Sequence, residues 1–136
     1  MFFVTNIEKA TLENNYYRKV IWTTQYKNMQ LVLMSIPAGQ DIELEIHKDA
    51  DQFIRIEAGQ GELHIGEHEE IQVPIKEGSA LIIERNTYHR VVNVGDVPLK
   101  LYTVYTPAQH QNFEKQNKNE KKKKITKKLL SLFYMF

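Results

Sequence analysis

From Gln30 onward, short apolar runs alternate with turn residues at intervals of roughly eight to twelve positions, the pattern of successive strands in an all-β domain. The spacing predicts strands over Gln30–Ile36, Ile42–His47, Gln52–Glu57, Glu62–Ile65, Ile71–Ile75, Ala80–Ile83, His89–Val94 and Leu99–Tyr105. Between them, Pro37-Ala38-Gly39, Ala58-Gly59-Gln60-Gly61, Ile65-Gly66-Glu67, Glu77-Gly78 and Gly95-Asp96-Val97-Pro98 supply glycine or proline where the chain must reverse. Such a set of strands suits a small jelly-roll barrel with room inside for one small ligand. Residues 1–29 predict a helical turn around Ile7–Leu12 and a strand around Lys19–Thr24 that adds to the barrel or to a dimer interface. No internal repeat is visible.

The pattern breaks after residue 107, and charge breaks with it. Residues 111–136 hold eight lysines and two glutamates, leaving ten basic and fifteen acidic side chains to residues 1–110. A mildly acidic domain with a strongly basic tail argues against a nucleic-acid surface on the barrel. The tail's first half, 111–120, is low in complexity and is expected to be disordered. In its second half Ile125, Leu129, Leu132 and Phe136 recur at helical spacing among Lys121–Lys124, Lys127 and Lys128. That is the pattern of a basic amphipathic helix able to make weak contact with a membrane surface. A mobile extension without function is the plainer reading of the same residues.

The 136 residues suffice for one buried core. With no cysteine in the chain, disulfides, thiolate ligands and a cysteine nucleophile are all excluded. The N-terminus lacks a basic stretch followed by a long apolar one, so no secretory signal is read and a cytoplasmic protein is expected. A strand-to-helix serine elbow and a glycine-rich phosphate loop are both absent from the sequence.

Candidate chemistry gathers in two stretches. In Gly39–Gly59, Glu45 and His47 stand two residues apart on a predicted strand, so both side chains leave the same face. In Gly78–Asn93, His89 opens a later strand after the turn Arg85-Asn86-Thr87-Tyr88.

These two stretches resemble the paired motifs of the cupin superfamily. The first family motif, G-x5-H-x-H-x3,4-E-x6-G, is met by Gly39-x5-Glu45-x-His47-x4-Gln52-x6-Gly59. The second, G-x5-P-x-G-x2-H-x3-N, is met by Gly78-x5-Glu84-x-Asn86-x2-His89-x3-Asn93. Every spacing fits, while Glu45, Gln52, Glu84 and Asn86 replace the family's histidine, glutamate, proline and glycine. The resemblance covers residues 30–107 and implies a double-stranded β-helix. It also implies one divalent metal ion (zinc, manganese, iron or nickel) held by Glu45, His47, Gln52 and His89, with Asp51 the alternative to Gln52 if the turn is shorter. Three histidines and one glutamate give the usual site a ligand charge of −1. Glu45 with three neutral partners restores that charge, which favours a working site. Glu45, His47 and His89 are also the two-histidine, one-carboxylate combination of non-haem iron sites.

The remaining residues carry less. If His47 faces inward, strand alternation brings Glu45 and Glu43 with it, followed by Ile54, Ile56, Val91 and Asn93 from the other strands, with Arg55 on the opposite face. His64 is expected to face solvent, His68 to sit in a turn and His110 to mark the domain end. Tyr88, Tyr102 and Tyr105 border the mouth on this reading. Small cupins resembling this chain usually pair, and the apolar residues Phe2, Phe3, Val4, Tyr16, Tyr17, Ile21 and Trp22 fit a homodimer. Two functions are consistent with the motifs. One is a metalloenzyme acting on a small polar metabolite of sugar or keto-acid type, by isomerase or oxygenase chemistry, with Glu43 or Tyr88 moving protons. The other is a non-catalytic, metal-dependent binding or sensing module for a small molecule.

Overall fold

The computed structural model describes residues 1–117. One short helix, α1 (Ile7–Glu13), precedes β1 (Arg18–Thr23), β2 (Gln30–Ile36), β3 (Asp41–Glu45), β4 (Asp51–Ala58) and β5 (Gln60–Ile65). β6 (Ile71–Lys76), β7 (Ala80–Ile83), β8 (His89–Asn93), β9 (Leu99–Thr106) and β10 (Lys115–Gln116) follow. The strands form two antiparallel sheets, ordered β10-β1-β2-β9-β4-β7 and β3-β8-β5-β6. Each of the predicted strands is present to within two residues at either end.

Alternation decides which side chains fill the space between the sheets. Along β9, Leu99, Leu101, Thr103 and Tyr105 are buried, and along β4, Gln52, Ile54 and Ile56 are. The apolar ones and Tyr105 join Val20, Val32, Met34, Ile36, Ile42, Ile83 and Val91 in one continuous core. β2 breaks the alternation because Leu33 and Ser35, on its outer face, are buried too. α1 packs over that face against β9, β4 and β2. It is capped by Asn6, whose side chain accepts from the Lys9 amide, and Lys100 Nζ ties it down by donating to the Leu12 carbonyl at 2.6 Å.

The first part of the tail is ordered, contrary to its composition. Lys115 and Gln116 pair with Lys19 and Arg18, and the Val20 amide donates to the Glu114 carbonyl at 2.8 Å. β1 would otherwise expose an unpaired backbone edge, and residues 114–116 satisfy it without needing any hydrophobic periodicity. The amphipathic pattern of 121–136 lies outside the described residues. Among the described residues no helix is long and apolar enough to cross a membrane.

Gly59 shows how tightly the turns are set. Its φ of +93° lies in the left-handed region, and a Cβ there would meet the Pro98 carbonyl oxygen at 2.8 Å. Gly59→Ala should therefore lower stability by about 2 kcal/mol, read as a shifted denaturation midpoint. An unchanged midpoint would mean that the β4–β5 turn relaxes freely.

Candidate metal centre

Glu45 and His89 come from β3 and β8, which pair antiparallel with Glu45 directly opposite His89. A β-bulge lies between Ile42 and Glu45, and Ile42 stands opposite the buried Val91. Both Ile42 and Glu45 thus point inward although three residues apart. The bulge re-aims Glu45 at the interior, and it breaks the alternation that would have carried Glu43 inward as well. His47 follows two residues later.

The turn before β8 holds both histidines. The Asn86 amide donates to the His47 carbonyl at 2.8 Å, and His89 Nδ1 lies 2.9 Å from the Thr87 carbonyl. A carbonyl can only accept, so Nδ1 carries the hydrogen and Nε2 presents its lone pair to the interior. Asn86 itself has φ of +65°. That position requires left-handed backbone, which explains why asparagine, the side chain that best tolerates it after glycine, can stand there.

Glu45, His47 and His89 converge, each offering a ligand atom within 4.8 Å of the others. His47 Nε2 lies 3.3 Å and His89 Nε2 3.5 Å from the same oxygen, Glu45 Oε1. Among the described residues neither nitrogen has a hydrogen-bond partner, and both are withdrawn from solvent. Three donor atoms spaced this way point at a common centre rather than at one another. Bonds of about 2.0–2.1 Å in a tetrahedral site place neighbouring ligand atoms about 3.3 Å apart, so the spacing fits a divalent ion. Burial alone would raise the Glu45 pKa, but its close polar and charge contacts with the two histidines outweigh that. Its carboxyl is held far below the usual carboxylate range and stays ionised.

Gln52 and Asp51 are separated cleanly. Asp51 lies on the outer face, 43% exposed, and both its oxygens are taken by Arg85. Hydrogen bonds from Arg85 hold its pKa below the ordinary value. Gln52 is 4% exposed and stands opposite Tyr105, whose ring meets the His47 ring edge-on at 5.5 Å. The Thr103 hydroxyl donates to the Phe53 carbonyl, so it can only accept from Gln52 Nε2, at 3.0 Å. This fixes the amide, and Gln52 Oε1 is left buried without a partner.

A family model for the cupin domain matches residues 32–105. The chain is a cupin. It is 44% identical over 111 residues to YrkC of Bacillus subtilis, covering 79% of this chain and 59% of that protein. It is 42% identical to L612 of Acanthamoeba polyphaga mimivirus, covering 79% of this chain and 67% of the other. Both relatives are thus longer than the part matched. The crystal structure of BH2720 from Bacillus halodurans superposes with a TM-score of 0.81 at 40% identity, covering 85% of this chain and 88% of that one.

Several residues of this cupin sit elsewhere than alternation predicted. His64 is 8% exposed rather than facing solvent. It lies on the outer face of β5, covered by Glu69, whose Oε1 is 2.8 Å from His64 Nδ1 and 3.1 Å from Arg90 Nη1. Tyr102 also faces outward, with its ring centre 6.3 Å from that of Phe53. His110 does not merely end the domain, since its ring meets Tyr105 edge-on at 5.1 Å. Among the described residues no hydrogen bond joins Glu43 or the Tyr88 side chain to the cluster. Tyr17, expected at a dimer surface, is buried in the core just before β1, and sequence reasoning missed Arg18, at the start of β1. The inward Val20, two positions after Arg18, was the signal available for it.

Proposed function

We propose that this cupin binds one divalent metal ion through Glu45, His47 and His89, with Gln52 Oε1 as fourth donor, and acts there on a small polar metabolite. The observation that carries this reading is the pair of solvent-shielded histidine nitrogens, unpartnered and trained on one carboxylate oxygen. An ion of the zinc, manganese, iron or nickel type supplies Lewis-acid polarisation of a ligand oxygen. The chain's own groups do the rest. Thr87 fixes the His89 tautomer and Thr103 fixes the Gln52 amide. Tyr17 and Tyr105 offer neutral hydroxyls, since burial pushes both pKa values well above the ordinary tyrosine value.

A non-catalytic binding module is the second reading. It is favoured by the fact that Glu45 and both tyrosines are driven away from neutral pH in opposite directions, so none of the three is poised to exchange a proton. Metal analysis of the purified protein, followed by incubation of the loaded protein with sugars and keto acids, tests both readings. Turnover supports the enzyme, and binding without turnover supports the module. A protein that takes up no divalent ion would overturn both.

Gln52→Glu separates a ligand from a bystander. A second carboxylate near Glu45 should destabilise the metal-free protein by about 1–3 kcal/mol, because the Thr103 proton is already given to Phe53. Metal should recover that loss and more. Melting with and without zinc should therefore show a wider gap than in the wild type. An equal gap would remove residue 52 from the ligand set.

A second copy of the chain is the partner we propose for the outer face of the larger sheet. Trp22, Leu31, Val104, Phe53 and Ile82 stand directly opposite one another across five strands, and Ile82 is 77% exposed. Phe3 extends the row by stacking on Trp22 at 4.9 Å. Tyr17, by contrast, belongs to the core. Sedimentation at micromolar concentration should give a dimer, and Ile82→Lys a monomer. A wild-type monomer of 16.0 kDa would end the idea.

A further inference from the structure

Among the described residues no carboxylate pairs with Arg18. This arginine stands opposite Met34, a core residue, so its side chain enters the barrel rather than leaving it. Its Nε is withdrawn from solvent with no hydrogen-bond partner, and Nη1 donates at 3.2 Å to the neutral amide oxygen of Gln116. None of the ion pairs formed among the described residues involves it. The Glu114 carboxylate is reached only through Gln116, which donates to Glu114 Oε1 at 2.9 Å, and Glu114 Oε2 is 3.4 Å from His110 Nδ1. Burying part of a cation is costly unless an anion faces it.

A chain of contacts through Gln116, Glu114, His110 and Tyr105 links Arg18 to the cluster. Tyr105 is in edge contact with His47, and its hydroxyl is in the electrostatic field of both Glu45 and Arg18. Tyr17 experiences the same two charges, and the Arg18 guanidinium sits 5.5 Å from the centre of the Tyr17 ring. The ring contact sets the plane of the guanidinium. Tyr17 thus stands beside the Arg18 guanidinium and Tyr105 beside the ligand cluster, and both hydroxyls feel the two charges.

We propose that Arg18 is a carboxylate-binding residue of the cluster's ligand site, and that the molecule taken there is a small organic acid rather than a neutral sugar. The inference rests on the proposed metal reading. One end of the ligand places a carbonyl or hydroxyl oxygen at the cluster, and the carboxylate receives paired N–H bonds from Arg18. Glu45 with a divalent ion leaves a charge of +1, to which Arg18 adds another, so the site as a whole attracts an anion.

The test uses full-length, zinc-loaded protein, with pyruvate and 2-oxoglutarate as acids, methyl pyruvate as the uncharged counterpart, and glucose as the neutral polyol. Calorimetric titration should show the acids binding roughly 10- to 100-fold more weakly to Arg18→Met than to the wild type. Methyl pyruvate and the metal content should not change between the two proteins. Arg18→Lys keeps the charge without the fork and should recover part of the loss, which also guards against misfolding of the methionine variant. A purely structural Arg18 would not distinguish the acid from its ester. Undiminished acid binding in Arg18→Met, or glucose binding as well as the acids to wild type, would overturn the proposal while leaving the metal reading intact. Failure of the wild type to load zinc, iron, manganese or nickel would overturn the metal reading instead, and this proposal with it.

Discussion

Purified His89→Ala protein should contain almost no bound divalent metal, whereas the wild type should approach one ion per chain. His89 is 1% exposed and its Nδ1–H is committed to Thr87, so Nε2 has no role in the fold other than to face Glu45 and His47. Removing an orienting partner of a ligand typically costs 10- to 100-fold in affinity. Removing the ligand itself should cost more than roughly 100-fold by the same scale. The metal-free barrel should lose much less, because the deletion also removes a buried nitrogen that lacks a partner. His64→Ala is the control: this histidine is nearly as buried, but it is bound to Glu69 on the outer face. Elemental analysis should find metal in His64→Ala and not in His89→Ala or His47→Ala. Equal loss in all three would mean that the folding of the barrel, not a ligand set, is being measured.

The contrast between those histidines shows what alternation can and cannot deliver. Strand positions from Gln30 to Thr106 were legible because each strand has one apolar face, and period two is hard to mistake over five or more residues. His64 was assigned to the correct face and the wrong environment. Alternation says which side of a sheet a residue leaves, not whether the next turn folds back over it as Glu69 does. Glu43 failed for another reason: the bulge before Glu45 shifts the register by one residue, and nothing in Asp41-Ile42-Glu43-Leu44-Glu45 announces it. Residues 111–117 failed for a third. β10 is held by backbone pairing to an open edge, which leaves no hydrophobic signature. The same blindness hid His110, which comes beside Tyr105 only once the segment after β9 folds back, and Arg18, which meets Gln116 only once β10 pairs with β1.

Asn93, the last residue of the second motif, illustrates a site-like position whose work is structural. It is buried at the end of β8, and its Nδ2 donates to the Ile36 carbonyl at 2.9 Å and the Val97 carbonyl at 2.8 Å. Its Oδ1 accepts from the Gly95 amide at 2.9 Å. One side chain therefore satisfies three backbone groups, joining the end of β2 to the turn that leads into β9. Asn93→Ala leaves all three without that partner, at about 1 kcal/mol or more each, so roughly 3 kcal/mol of stability should be lost. Asn93→Asp should be nearly as damaging, because a carboxylate keeps the bond from Gly95 but turns oxygen toward two carbonyls. Metal affinity should not change in either variant while the protein remains folded, since Asn93 makes none of its bonds to the cluster. Denaturant titration with and without zinc distinguishes the two kinds of effect. A loss of metal affinity at full stability would show Asn93 to be part of the site, and its role in joining β2, β8 and β9 would then be secondary.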